Sequence, residues 1–260
     1  MIKKIKSLLE TYRKFKLDPL VLVYQMGKVG SSSVYFSLKN DGENIYHIHS
    51  FNGLDIIDMY DDKTTVKRFY SLRKRIEHYI YIKIRLLFIR RNNNLKIITF
   101  IRPELSVLKS RYFQDLHFGV YKAYQSHVIF KNKRNFIDFI IDDFERSISD
   151  DYVSGWFDRE IKRNFGIDVM KTYYDSSVGF SITKGVNGRQ CMLINMEHLD
   201  HLENEIGEFL NKPGFKLVRE NDSSEKWYSE FYSIFNDEYQ PSKEFKDRVD
   251  SSDYNRKFYG

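Results

Sequence analysis

Residues 20–38, LVLVYQMGKVGSSSVYFSL, decide the fold of this chain. An apolar, β-branched run from Leu20 to Tyr24 ends before two glycines, and an amphipathic segment from Val34 to Leu38 follows them. This order predicts a strand, a glycine-containing turn and the N-terminus of a helix. Backbone N–H groups and the positive end of the helix dipole converge at such a turn. The stretch therefore predicts a site for phosphate, or for a group of similar shape and charge.

The residues of this turn are candidate anion ligands. Lys28 adds a positive charge, the serines add hydroxyl donors, and the others add backbone N–H groups; the candidates are Gly27, Lys28, Val29, Gly30, Ser31, Ser32 and Ser33. The turn is not a Walker A loop, because its lysine follows the first glycine and the chain contains no Gly-Lys-Ser or Gly-Lys-Thr. Taken alone, the turn is also typical of an ordinary helix with a serine cap.

A second element spans residues 96–116, KIITFIRPELSVLKSRYFQDL. Its apolar run, Lys96 to Ile101, predicts a buried strand, and the residues after Pro103 keep a helical period. Arg102 ends the strand, and Ser110 lies two turns into the predicted helix. Both can face one anion, because a guanidinium offers a planar fork to phosphate and a hydroxyl adds a further hydrogen bond. The alternative is a surface arginine and a solvated serine.

Together these two elements resemble the sulfotransferases that use 3′-phosphoadenosine 5′-phosphosulfate. The resemblance implies that Lys28 and its turn hold the 5′-phosphosulfate, and that Arg102 and Ser110 hold the 3′-phosphate. Residues 191–199, CMLINMEHL, are similar to a later strand of the same family. The implied fold is α/β and P-loop-like, a three-layer sandwich with a central parallel sheet and helical insertions.

More closely, the chain resembles a bacterial group of capsular polysaccharide synthesis proteins named for an NKWYS motif. Here the motif reads EKWYS at residues 225–229, without the asparagine, and the ending YNRKFYG is also similar. The likeness runs from about Leu20 to the C-terminus. It is strongest in the two phosphate elements and thin between residues 120 and 185.

The segment that contains the EKWYS motif also shows a helical pattern. Trp227, Phe231 and Phe235 recur at helical spacing, which predicts an apolar stripe that packs in the core. Lys226, at the start of this predicted helix, is a further candidate ligand for a phosphate of the nucleotide.

Residues 45–50, IYHIHS, supply the candidate base. Side chains alternate along a strand, so His47 and His49 point to the same side. Transfer to an alcohol needs a group that accepts the hydroxyl proton, and the pKa of histidine suits neutral pH. The H-x-H pattern also resembles that of uronosyl 2-O-sulfotransferases, in which such histidines serve the acceptor. The alternative is a pair of structural histidines, and nothing nearby completes a zinc site.

The remaining patterns predict one α/β domain over residues 20–260, preceded by a basic amphipathic helix over residues 1–19. Strands are predicted near 20–26, 45–50, 96–101 and 190–196, with a hairpin around 179–190 and a long helix over 61–93. Strands separated by helix-length segments predict a parallel sheet, whose ligands bind at the carboxyl ends of its strands.

Composition narrows the functional classes. The chain has 260 residues, a formal net charge of +6 and one cysteine, Cys191, which rules out an internal disulfide. No apolar run approaches the roughly 20 residues of a membrane span and no signal pattern opens the chain, so a cytoplasmic location is expected. The N-terminal helix packs on the domain or contacts the inner membrane surface through residues 2–16.

The sequence therefore predicts a sulfotransferase that moves a sulfuryl group from 3′-phosphoadenosine 5′-phosphosulfate to a hydroxyl of a capsular or surface polysaccharide. The expected acceptor is an anionic or neutral glycan. No metal is expected, and no nucleic-acid partner, because recognition motifs are missing. Two alternatives remain open. A kinase acting on a glycan needs magnesium carboxylates, for which Asp55 and Asp58 are the early candidates, whereas a non-catalytic nucleotide- or glycan-binding protein needs neither histidine.

Overall fold

A computed structural model of the protein describes residues 10, 12–13, 20–51, 72–116, 132–149, 151–218 and 226–260. Its centre is a five-stranded sheet with the strand order β2-β1-β3-β5-β4. The strands are β1 (Val21–Tyr24), β2 (Ile45–Ile48), β3 (Lys96–Ile101), β4 (Phe180–Lys184) and β5 (Gln190–Asn195). Neighbouring strands are parallel from β2 to β5, and β4 pairs antiparallel with β5 at one edge. The fold is thus mixed α/β with a mostly parallel sheet.

The helices alternate with these strands and follow them. They are α1 (Ser32–Asn40), α2 (Leu72–Ile89), α3 (Glu104–Asp115), α4 (Lys133–Ser147), α5 (Glu203–Leu210), α6 (Ser229–Glu238), α7 (Lys243–Asp250) and α8 (Asp253–Phe258). Between α4 and β4, a π-helical turn (Asp158–Lys162) continues into a short helix (Arg163–Phe165).

The sheet forms because its inner strands are apolar on both faces. Every residue of β1 is buried, and in both β3 and β5 only the first residue is partly accessible. Continuous burial of this kind is typical of parallel strands that are covered on both sides. The sequence predicted these strands and the hairpin correctly, and the single cysteine, Cys191, is buried in β5.

Two predicted strands end earlier than expected. β1 stops at Tyr24 and β2 stops at Ile48, so His49 lies just beyond its strand. The carbonyl oxygen of His49 accepts a hydrogen bond from the indole of Trp156 (3.2 Å). A tertiary contact therefore fixes the backbone at His49.

The predicted stripe of Trp227, Phe231 and Phe235 is wrong at its first member. Helix α6 begins at Ser229, whose N–H donates to the carbonyl of Lys226 in a preceding turn (2.9 Å). Trp227 is therefore outside the helix and half exposed, whereas Phe235 is fully buried.

The N-terminal predictions lie almost entirely outside the described residues. Residues 10, 12 and 13 are helical, and the ring of Tyr12 lies 4.9 Å from that of Phe88 on α2. Residues 61–71 of the predicted long helix, as well as Asp55 and Asp58, are also outside the described part. Within that part, no helix is both long and apolar enough to span a bilayer.

A buried carboxylate holds the ends of β1 and β2. Glu160, in the π-helical turn, is only 2% exposed. It accepts hydrogen bonds from the hydroxyl of Tyr24, the hydroxyl of Ser50 (2.8 Å) and the backbone N–H of Phe51 (2.9 Å). Tyr24 ends β1 just before the predicted anion-binding turn, and Ser50 directly follows His49. Glu160 therefore holds the end of β1 and the segment after β2 in place.

We expect Glu160→Ala to lower the free energy of unfolding by about 3 kcal/mol, because several buried donors lose their acceptor and each costs roughly 1–3 kcal/mol. Glu230→Ala is a matched control, because its ion pair with Lys133 is exposed and such pairs contribute about 0–1 kcal/mol. Denaturant unfolding measures both. Equal losses for the two variants would contradict the role assigned to Glu160.

Candidate active site

The candidate site lies at the end of β1, where the order in which strands are added to the sheet changes direction. β1 is flanked by β2 on one side and β3 on the other. The turns after β1 and β3 therefore meet at a topological switch point, the usual ligand site of open α/β sheets. A cavity of about 970 Å³ opens there, a volume within the range of small-molecule sites.

The cavity brings together most of the predicted residues. All predicted site residues except Val29 and Ser33 line it, namely Gly27, Lys28, Gly30, Ser31, Ser32, His47, His49, Arg102, Ser110 and Lys226. Val29 is fully buried in the core, and Ser33 lies inside the first turn of α1. The turn after β1 and the segment from Arg102 to Ser110 are distant in sequence and thus line the same cavity.

The turn after β1 has an unusual backbone. Lys28 and Gly30 both have positive φ, 74° and 76°. This conformation is uncommon for a residue with a side chain, and residues that adopt it are concentrated at functional sites. A Cβ at residue 30 would also overlap the side chain of Met196, which would have to move.

The hydroxyl of Ser31 does not cap α1, so the interpretation as an ordinary serine-capped helix is wrong. Ser31 is the N-cap residue, but its side chain makes no capping hydrogen bond. Its Oγ instead accepts from Nε2 of Gln25 (2.7 Å) and lies 3.1 Å from Nε2 of His47. The first serine of the turn is therefore part of a side-chain network with β2.

The two histidines share one side, as predicted, with ring centroids 4.9 Å apart. Nδ1 of His49 lies 3.2 Å from the backbone carbonyl of Gln25. Nδ1 also lies 3.0 Å from Nε2 of the Gln25 side chain, an amide nitrogen that can only donate, so these contacts hold the ring without fixing which of its nitrogens carries the proton. His47 is held differently, because its Nε2 contacts Ser31 and the side chain of Gln25 (3.2 Å) and its ring stacks on Tyr35.

Both histidines are biased toward the neutral form. Burial, and then repulsion from His49, lower the pKa of His47 to about 4. The pKa of His49 is lowered mainly by desolvation, because the cavity walls remove part of the hydration of its accessible ring. The carbonyl of Gln25 opposes this shift, whereas the charges of Arg111 and Lys28 add to it. At neutral pH, His49 can therefore accept a proton.

The cavity is strongly cationic. Among the described residues that line it, one carboxylate, Asp237, faces four cations: Lys28, Arg102, Arg111 and Lys226. Such a concave cationic site concentrates anions. No cluster of three or more metal-ligating side chains occurs in the described ranges.

Sequence reasoning missed Gln25, Arg111 and the wall formed by α6. Gln25 is 1% exposed and is the first polar residue after β1, which is the one signal that could have revealed it. Arg111 follows Ser110 directly but carries no motif. From α6, the cavity is lined by Ser229, Tyr232, Ser233, Asn236 and Asp237.

The model of one protein family, NKWYS, with the description "Putative capsular polysaccharide synthesis protein", matches residues 128–260, just over half of the chain. The matched part includes the region of thin likeness up to residue 185 and leaves out both phosphate elements. No curated protein and no solved structure matches the chain.

The half-buried position of His47 leads to a titration prediction. His47 should remain neutral down to about pH 4, and in His49→Ala its pKa should rise but stay below 6.5, because burial is the larger cause. The unfolded state binds this proton first, so His47 lowers stability as pH falls from about 6.5 to 4. NMR titration of the ring protons measures the pKa. A value near 6.5 in the native protein would contradict the buried network.

Proposed function

The chain belongs to the NKWYS family, whose description names capsular polysaccharide synthesis, and we propose that it acts there as a sulfotransferase. The proposed reaction moves a sulfuryl group from 3′-phosphoadenosine 5′-phosphosulfate to a hydroxyl of a glycan. One observation carries the proposal: the Lys28 turn, the Arg102–Ser110 pair and two neutral histidines meet in one cationic cavity.

The residues present fit such a donor. Its phosphate and phosphosulfate groups carry several negative charges, and the cavity offers four cations. Lys28 and the backbone from Gly30 to Ser32 would hold the 5′ end, in a P-loop-like manner. Arg102 and Ser110 would hold the 3′-phosphate, because the arginine fork matches phosphate geometry. Lys226 lines the same cavity and would add to the charge that holds the donor.

The donor, when bound, supplies the sulfuryl group and a leaving 5′-phosphate. Nε2 of His49 would take the proton of the acceptor hydroxyl while the hydroxyl oxygen forms its bond to sulfur. The bond from sulfur to the bridging oxygen breaks, and its electron pair stays on the leaving phosphate, where Lys28 neutralises the developing charge. Positioning and electrostatics dominate, by analogy with phosphoryl transfer.

His47 has a supporting role in this proposal. Its Nε2 contacts Ser31 and Gln25, and its ring stacks on Tyr35 at a centroid distance of 5.1 Å. These contacts occupy the nitrogen that would otherwise accept a proton. His47 therefore orients the turn and the acceptor, and His49 is the base.

The proposed donor is tested by ligand-induced stabilisation. We expect 3′-phosphoadenosine 5′-phosphate to raise the melting temperature more than ATP, because only the former carries the 3′-phosphate that Arg102 and Ser110 are proposed to bind. A ligand at about 100 times its dissociation constant adds roughly 2.7 kcal/mol if it binds only the native state. Equal or larger stabilisation by ATP would contradict the sulfotransferase proposal and favour the kinase.

The roles of the histidines are tested by parallel substitution. His49→Ala should lower kcat by about 10²–10⁴, the usual contribution of general base catalysis, without weakening binding of 3′-phosphoadenosine 5′-phosphate. His47→Ala should lower kcat less and weaken acceptor binding. His201→Ala, on an exposed turn after β5, is the control. Near-full activity of His49→Ala with a glycan panel as acceptor would exclude it as the base.

A further inference from the structure

Arg111 is a buried cation in the cavity wall that the proposed reaction has not used. It lies on α3 directly after Ser110, lines the cavity and is 8% exposed. Its place in the cavity lining puts this positive charge beside any ligand that the cavity holds. The residue of the turn after β1 that Arg111 contacts indicates which part of a ligand Arg111 would meet.

The side chain of Arg111 lies against Gly27. Gly27 is not among the residues with positive φ, so its backbone conformation alone does not require glycine. A Cβ at residue 27 would, however, lie 2.5 Å from Nη1 of Arg111. The guanidinium therefore occupies the space directly above the turn, where a side chain would otherwise stand.

Successive residues of the turn after β1 contact different side chains of the cavity. The Gln25 side chain and carbonyl contact the two histidines. Gly27 lies under Arg111, and the carbonyl of Lys28 accepts from Nη1 of Arg102 (3.4 Å). Along the chain, the residue under Arg111 therefore lies between the one that contacts the histidines and the one that contacts Arg102. The charges of Arg111 and Lys28, but not that of Arg102, also act on the pKa of His49, which agrees with this order.

Resting on the proposed function, we infer that Arg111 is a further catalytic residue that binds the 5′-phosphosulfate end of the donor, on the side of His49. Its fork donates to the non-bridging oxygens there. When the acceptor oxygen bonds to sulfur and the bridging S–O bond breaks, the electron pair moves to the 5′-phosphate, and Arg111 shares that charge with Lys28. The acceptor proton goes to Nε2 of His49. Arg102 serves the other end, the 3′-phosphate.

The sites for the 5′ and 3′ phosphates of the donor are distinguished experimentally with nucleotides that carry one of these phosphates or both. Binding of adenosine 5′-phosphate, adenosine 3′-phosphate and 3′-phosphoadenosine 5′-phosphate is measured by calorimetry for the wild type, Arg111→Gln, Arg102→Gln and Arg256→Gln. The last is the matched control, an exposed arginine paired with Asp253 on α8. Arg111→Lys, which keeps the charge without the fork, is included in case Arg111→Gln does not fold.

We expect Arg111→Gln to weaken both nucleotides that carry a 5′-phosphate by about 10- to 100-fold, the range for a hydrogen bond to a charged group, and to leave adenosine 3′-phosphate unchanged. Arg102→Gln should show the reverse selectivity. Arg111→Gln should also lower kcat by about 10²–10³, the usual effect of removing one donor to a developing charge. Arg111→Lys should show the same selectivity at smaller amplitude.

Loss of adenosine 3′-phosphate binding in Arg111→Gln, or no loss for any nucleotide, overturns the assignment of Arg111. Failure of the wild type to prefer 3′-phosphoadenosine 5′-phosphate over ATP instead overturns the donor, so the two failures are distinguishable. Gly27→Ala gives a further check, because its Cβ displaces the guanidinium. We expect it to reproduce the selectivity of Arg111→Gln and to add no further loss in the double variant. Additive losses overturn the contact.

Discussion

The side-chain amide of Gln25 joins the parts of the candidate site. One end of this buried amide lies 2.7 Å from Oγ of Ser31, 3.2 Å from Nε2 of His47 and 3.0 Å from Nδ1 of His49. At its other end, Oε1 is buried and makes no hydrogen bond within the described residues. The contacts at the first end give the turn after β1 and the two histidines a fixed relative geometry.

Residues 128–260, which match the family, also hold the segments that form the cavity. Tyr254 of α8 donates to the carbonyl of Arg102 (2.9 Å) and accepts from its N–H (3.1 Å). Ser252 donates to the buried carboxyl of Glu104 (2.6 Å), whose pKa burial raises to about 7. Glu160 holds the ends of β1 and β2 in the same way. The C-terminal half therefore fixes the ends of β1, β2 and β3 at the cavity, in addition to supplying α6 as a wall of the cavity.

The sequence predicted the elements that have a periodic or local signature. β3 was predicted at its observed bounds, and the turn after β1 was placed correctly, because alternating apolar residues, glycine and proline act locally. Gln25, Glu160 and Arg111 were missed, because the burial of a single polar residue is decided by distant segments that pack on it. Trp227 was wrong for a related reason: its spacing fits the helix, but the preceding turn delays the first helical residue to Ser229.

The charges of the cavity also act on the protonation of His49. Lys28 and Arg111 attract an anionic ligand, and the same charges lower the pKa of His49. A protonated ring would be repelled by them, so the neutral ring is favoured at neutral pH. The hydrogen bond to the carbonyl of Gln25 acts in the opposite direction. The same cations therefore favour both an anion in the cavity and the neutral form of His49.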